Sequence, residues 1–455
     1  MNANKKMLSR VLVATVIGVT TAGCSDDFLV PNYNNPARED LTGSPTQATI
    51  SAAVRGIVVS QRGLKAGMVT RLGVWGREGY DLRPEEPRTT TDALVDPIDP
   101  VNGGLYFGGQ FTQVTQINTV LLALENSPLS DQEQKATAGF VKTFKADAMW
   151  QAAMARAVEV GLPLDPNPDP NGELTPISTK AAVWSYIDAL FDEALSDLQA
   201  GGSSFPFQLP VGFDDFNTPQ SFSRVNRALK ARALKYQGDW SGTVAAVNAS
   251  FASEGMPMDY GPAFNYSTIS GDSPNGFFSS PYHYAHPRIR GDAQLQADGS
   301  IDARVPRKIK DVPAFTLYDI TVSDAMNVYQ SLTAPMPWIT NDELLLLRAE
   351  ANLEQGNRAQ AIADVNVVRT VDGELPALDA GYAGDLRHEI LYNKLMSLLW
   401  EGGFQYYDYR QYGMLDELPR AAPNHGVYPG FPYPLNECLA RDIMGQVECT
   451  TYFAS

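Results

Sequence analysis

The spacing of apolar residues after position 45 is mostly that of helices. Ile50 to Arg62 and Val114 to Glu125 repeat at helical intervals, and Ser130 to Val160 is a long Ala-rich run closed by Gly161-Leu162-Pro163. Lys180 to Gln199 sets Val183, Ile187, Leu190, Ala194 and Leu198 on one stripe, the pattern of a core-facing helix, and Gly201-Gly202 stops it. Two later segments read as helix–turn–helix units. In the first, Ser223 is the expected cap of a helix carrying Val225, Leu229 and Ala233; Gly238 breaks it, and Val244, Val247 and Phe251 follow. In the second, Thr340-x-x-Glu343 reads as a capping box before Leu344, Leu347 and Ala351; Gly356 breaks the helix, and Ile362, Val365 and Val368 follow.

Aligned on the glycine, the units share Ala233/Ala351, Gln237/Gln355, Val244/Ile362, Val247/Val365 and Asn248/Asn366. Small residues before a turn and apolar ones after it suit a tetratricopeptide-like helix pair, although the wide separation of the units excludes a regular tandem array. A further helix is expected from Leu386 to Trp400, capped by Asp385 and ended by Gly402-Gly403. Three stretches lack helical period: Leu72 to Gly109, Gly255 to Ser331 (rich in Pro, Gly, Tyr and Ser) and Pro419 to Ser455. Irregular segments of that length in a compact protein usually carry function.

The amino terminus reads as an address. Lys5, Lys6 and Arg10 precede the apolar run Val11 to Val19, and Thr21-Ala22-Gly23 leads into Cys24. The run is too short to span a membrane, which takes about 20 apolar residues. Cys24 after Ala-Gly resembles a bacterial lipobox, with Thr21 where that motif usually has Leu; acylation of Cys24 is the expectation. Asp26 to Pro45 reads as a tether. The net charge of −17 becomes −20 once the three leader cations are removed, which argues against a nucleic-acid partner. Of the three cysteines, Cys438 and Cys449 remain in the tail and are expected to form a disulfide outside the cytosol.

Nothing in the sequence spells a catalytic motif. There is no G-x-S-x-G elbow and no Cys–His pairing, and the cluster Asp81, Glu85 and Glu86 lies in a Pro-rich, Arg-containing setting. His283-x-x-His286 runs into Pro287 and is a poor zinc motif; His388 falls in a helix and reads as packing or surface. Asp165, Asn167, Asp169, Asn171 and Glu173 form an oxygen ladder like that of a calcium loop. Pro170 stands where such a loop wants Gly, so a solvated connector is preferred over a calcium site.

Together these pieces resemble the SusD/RagB-type outer-membrane lipoproteins. The match rests on the opening Cys24 to Pro36, on Gly161-Leu-Pro-Leu164, and on Asn341 to Arg369, reading NDELLLLRAEANLEQGNRAQAIADVNVVR. Tyr433-Pro-Leu-Asn-Glu437 resembles the family's closing segment. Departures mark a divergent member: Glu401-Gly402-Gly403 lacks the Arg usual soon afterwards, and Asn393-Lys394 replaces a frequent Glu-Arg pair. The resemblance implies a mainly α fold, an α/α superhelical tetratricopeptide-like scaffold whose long irregular loops form the binding face. It divides the chain into a leader (1–23), a lipidated tether (24–45), an N-terminal helical region (46–254) and a C-terminal region (255–455) containing the helix pair 341–369. It further implies a non-enzymatic, cell-surface protein without cofactor, lipid-anchored in the outer membrane. Such a protein passes a nutrient, most commonly an oligosaccharide, to a SusC-like TonB-dependent transporter.

Sugar rings present C–H faces that stack on aromatic rings, and their hydroxyls need polar partners. The aromatics of the irregular zones are therefore the candidate ligand contacts: Trp75 and Tyr80 in the first, Tyr282, Tyr284 and Arg288 in the second, with Tyr318 as a further candidate. Burial in the core is the competing reading for each. Two rival functions stay open at this point, a glycoside hydrolase on a helical scaffold and a helical-repeat scaffold that binds only protein.

Overall fold

A computed structural model describes residues 38–157, 159–169 and 171–453. The leader, Cys24 and the opening motif lie outside the described residues. Within the expected tether, Arg38–Thr42 form a short helix that buries Leu41. The longer helices are α1 (Gln47–Trp75), α2 (Gly108–Glu125), α3 (Asp131–Ala155), α4 (Lys180–Ala200), α5 (Pro219–Gln237), α6 (Trp240–Asn248), α7 (Asn341–Glu354), α8 (Arg358–Val371), α9 (Leu386–Ser397) and α10 (Phe404–Gln411). The fold is mainly α, as expected. No described helix is long and apolar enough to cross a membrane.

Helix α3 is the axis of the core. From Phe140 to Ala155 each side chain but one is buried, because α2, α4 and α5 pack round it. Its Ala-rich composition follows from that crowding: a Cβ on Gly139 would stand 2.7 Å from the Ala194 carbonyl oxygen of α4. A capping box opens the helix, Ser130 with Glu133. The two helix pairs, α5/α6 and α7/α8, stack directly, with α6 packed on α7 and α7 on α9. What is distant in sequence is continuous in space, as a superhelix requires.

Three helix boundaries differ from those expected. Helix α5 starts at Pro219 under a Thr218 cap, which leaves Ser223 inside it, donating to the Gln220 carbonyl. Thr340 precedes α7 but its hydroxyl donates to Asp342, while Glu343 turns to Arg232, so no capping box forms. Asp385 caps α9 as expected, yet the helix stops at Ser397 and Trp400 takes a positive φ of 58°.

The irregular zone after residue 255 contains a sheet that the spacing did not suggest. Strands β1 (Gly79–Asp81), β2 (Leu162–Pro163), β3 (Ile177–Ser178), β4 (Ala263–Phe264), β5 (His283–Ala285), β6 (Ile309–Leu317), β7 (Ile320–Met326) and β8 (Met336–Pro337) are all paired antiparallel. Four of them form one sheet in the order β1-β5-β7-β6, with Tyr80 opposite Tyr284 and Asp81 opposite His283. The β6–β7 hairpin turns through Tyr318 and Asp319, both at positive φ, without the Gly that normally signals such a turn. Alternation in β7, with Ile320, Val322 and Asp324 buried, is short and broken by Asp. In the tail, Cys438 and Cys449 are joined by a disulfide across a Cα–Cα distance of 6.1 Å.

Candidate functional site

The outward side of α1 carries an open concave surface with a coherent chemistry. Gly63 and Gly67 lie one turn apart there, and an added Cβ on either would meet nothing within 4 Å. Glycine inside a helix costs about 0.5–1 kcal/mol relative to Ala, so packing does not explain these two. Two clefts, of ≈ 380 and ≈ 510 Å³, open along this face and share Gly63 and Thr70 in their walls.

The first cleft is walled by Arg71, Tyr106 and Gln110. Tyr106, at φ 55°, donates its hydroxyl to the Gly67 carbonyl at 3.1 Å and meets Phe431 edge-on. Burial pushes its phenol pKa up. Arg71 makes no hydrogen bond or ion pair among the described residues.

The second cleft is walled by Arg62, Arg83, Tyr266, Phe277 and His283. The Arg62 guanidinium sits 4.7 Å above the Tyr266 ring and donates to the Asn265 carbonyl and to Asp272 at 2.6 and 2.7 Å. Arg83 uses only its Nε, donated to Asp81 at 2.9 Å. Phe277 stacks on Tyr329, held by Asn275, whose side-chain oxygen accepts from the Phe277 N–H. His283 is 6 % exposed, and neither ring nitrogen has a hydrogen-bond partner; its Nε2 lies 3.8 Å from Asp81 Oδ2.

The residues expected from the sequence divide. Trp75 and Tyr80 belong to the core and not to a ligand platform. Helix α1 runs on to Trp75, whose ring stacks on Phe431 at 4.1 Å and on Tyr428 at 5.3 Å. Tyr80 is fully buried in β1, which pushes its phenol up to about 12. Tyr284 on β5, Tyr282 just before it, Arg288 in the helical turn after it and Tyr318 in the β6–β7 turn are half-buried. Tyr318 donates its hydroxyl to the Arg83 carbonyl at 3.1 Å and so borders the second cleft. Tyr284 stacks on Phe315, and Arg288 pairs with Asp292 within its own helical turn.

The metal candidates form no shared ligand set. Asp165 pairs with Lys145 at 2.6 Å. Asn167 and Asp169 accept from the backbone N–H two residues on, and both border the same open surface cleft as Glu173. The ladder is thus a chain of turns. His283 and His286 are both buried; His286 Nδ1 accepts from the Arg288 N–H, and burial drops its pKa to about 3. Among the described residues no group of three or more His, Cys, Asp or Glu is placed to hold a metal ion.

The cleft residues that pattern reading missed are Arg62, Arg71, Arg83, Tyr106, Tyr266 and Phe277. One signal was present: Gly63 and Gly67 interrupt a helical pattern that has no need of them.

No family model matches the sequence, and no curated protein does. Solved structures do. A SusD superfamily protein from Bacteroides fragilis aligns with a TM-score of 0.65 at 14% identity, over 90% of this chain and 100% of its own. The surface glycan-binding protein A from Bacteroides thetaiotaomicron aligns at 0.64 and 14% identity, over 88% and 98% of the two chains. A laminarin binding SusD-like protein aligns at 0.62 and 14%, over 89% and 98%. The chain therefore has the SusD-like fold over nearly the whole of its described length.

Proposed function

We propose that this protein captures an oligosaccharide at the α1 clefts. In this reading it is anchored on the outer membrane through acylated Cys24 and delivers the ligand unchanged to a SusC-like TonB-dependent barrel. The observation that carries the reading is the pair of joined clefts on a rigid helix, combining the Tyr266 and Phe277 rings with uncommitted polar donors, on a fold shared with glycan-binding proteins. Apolar ring faces and directed hydrogen-bond donors are what a sugar requires, and a rigid scaffold keeps the ordering cost of binding low. Delivery without chemistry accords with the resemblance and with the absence of a catalytic motif in the sequence.

The test pairs two measurements on the full chain. Tagged protein isolated from detergent-solubilised outer membranes is expected to bring a TonB-dependent barrel with it. The purified protein is expected to bind at least one member of an oligosaccharide panel and to release it uncleaved. Recovery without a barrel overturns the delivery step, and cleavage of a bound saccharide overturns the passive reading.

A further inference from the structure

The charged residues lining the two α1 clefts are all arginines: Arg71 in one, Arg62 and Arg83 in the other, with no carboxylate in either wall. That is unexpected on a chain of net charge −17. Elsewhere the clefts are mixed. One of ≈ 610 Å³ has Asp169, Glu173 and Glu437 beside Arg441, and another has Glu159 and Glu448 beside Lys180 and Arg441.

Arg62 is already engaged by Asn265, Asp272 and Tyr266, but the other two arginines are under-used. Asp81 and Asp272 hold Arg83 and Arg62 from outside the lining, but Arg83 engages only its Nε, which leaves both terminal nitrogens uncommitted. Arg71 makes no hydrogen bond or ion pair among the described residues and acts electrostatically only on the Tyr106 phenol. Arginine's planar fork suits carboxylate and sulfate groups, which accept two parallel N–H bonds. His283 adds a second, independent sign: it is more than nine-tenths buried at the wall of the same cleft, and neither ring nitrogen is hydrogen-bonded, the nearest acid being Asp81 Oδ2 at 3.8 Å from Nε2. A buried polar group without a partner costs stability unless something else completes it. Arg62 and Arg71 stand nine positions apart on one helix, two and a half turns, about 14 Å along its axis and on opposite sides of it, so a ligand that meets both is an oligomer that crosses the Gly63 and Thr70 ridge the clefts share.

We infer that the ligand of the α1 clefts is an acidic oligosaccharide, one bearing carboxylate or sulfate groups, bound by Arg62, Arg71 and Arg83 and stacked on Tyr266 and Phe277. This rests on the oligosaccharide-capture reading and names its substrate class. Charge supplies specificity, because a neutral sugar leaves the arginines without counterparts and an anionic one completes them.

The experiment is calorimetric titration of the purified chain at low and high salt with three probes of equal length. Oligogalacturonides carry carboxylate only, sulfated galactan oligosaccharides carry sulfate only, and neutral galactan oligosaccharides carry neither. One acidic arm is expected to bind at least tenfold tighter than the neutral arm and to weaken as salt rises. Arg71→Ala is expected to reduce that binding at least tenfold with the melting temperature held, and Arg83→Lys, which keeps a cation beside the buried Asp81, is expected to weaken it as well. The tighter acidic arm identifies the anionic group. Neutral binding that equals or exceeds acidic binding, with no response to salt or to either substitution, overturns the acidic class and leaves the capture reading standing. No binding in any arm overturns the acidic class, and no binding across the wider oligosaccharide panel as well overturns both.

Discussion

Charged residues are used in opposite ways in the helix-pair core and along the outward face of α1. In the helix-pair core the buried cations Arg232, Lys235 and Lys394 each have a carboxylate. Arg232 of α5 forms a two-pronged pair with Glu343 of α7 at 2.6 and 2.8 Å, with Asp147 at 3.8 Å. Lys235 and Lys394 share Glu350 and Asp408, while Tyr236 and Tyr412 donate to those same two acids. Burial alone would raise the Asp408 pKa, but the two lysines outweigh it and hold the carboxyl below its ordinary range. Along α1, Arg71 and most of Arg83 are left uncommitted beside open volume. A saturated network specifies how helices pack, whereas unsaturated cations beside a cleft wait for a ligand.

Arg232→Ala is the most severe way to break this comparison. It strands Glu343 in a site where Arg232 is 2 % exposed, and removing one partner of a buried pair costs about 3–5 kcal/mol. Urea unfolding is expected to show a midpoint far below that of the parent chain. A small shift would mean that water or a relaxed neighbour already serves that acid.

Glu78 sharpens the comparison because it is a buried acid without a cation. It is 2 % exposed, accepts from the Trp400 N–H at 2.8 Å, and forms no ion pair among the described residues. Burial raises its pKa to about 7. A carboxyl with a raised folded-state pKa takes up a proton on folding, so its contribution is full below its unfolded pKa. That contribution is lost as pH rises from about 4.5 through about 7. Glu78→Gln removes this loss. The variant is expected to match the parent near pH 4 and to exceed it at pH 8 by up to about 3 kcal/mol, read from urea midpoints across pH. Parallel pH profiles for the two chains would show that Glu78 is already compensated.

The contrast also explains what could be read from the sequence. The helix pairs were legible because a buried stripe repeats: Leu344, Leu347, Ala351 and Ile362 report the core whatever their partners are. Their stacking was only hinted at by the shared residues flanking Gly238 and Gly356. The fate of Thr340 and Glu343 was not legible, since a local capping rule lost to Arg232, which is distant in sequence. The site was least legible of all. Trp75 and Tyr80 looked like platform residues because the pattern ended α1 too early. Arg83, Tyr266 and Phe277 converge on α1 only after the sheet brings residues near 80 and 283 together. Tyr318 was placed at the rim through a hairpin that carries no Gly at its turn.

Gly63→Ala and Gly67→Ala test whether the α1 face serves binding at a cost to folding. Neither added Cβ meets an atom within 4 Å, and Ala is the better helix former. Each substitution is expected to stabilise the chain by about 0.5–1 kcal/mol and to weaken oligosaccharide binding, since the methyl projects into the cleft wall. Stabilisation with unchanged affinity would remove these glycines from the site.

Arg71→Ala makes the same chemical change as Arg232→Ala and is expected to have the smallest effect on folding. Its guanidinium holds no hydrogen bond or ion pair among the described residues, so its removal strands no buried acid. What it takes away is long-range attraction within an acidic chain, together with the packing of its stem on the helix. Substitutions of that kind usually stay within about 0.5 kcal/mol of the parent. The outcome is read in one urea series run beside Arg232→Ala. Nearly superimposed curves for the parent and Arg71→Ala, with Arg232→Ala far to the left, would confirm that two buried or half-buried arginines of one protein hold different offices. A loss of 2 kcal/mol or more for Arg71→Ala, estimated against that same about 0.5 kcal/mol expectation, would place Arg71 in the scaffold and take it out of the site.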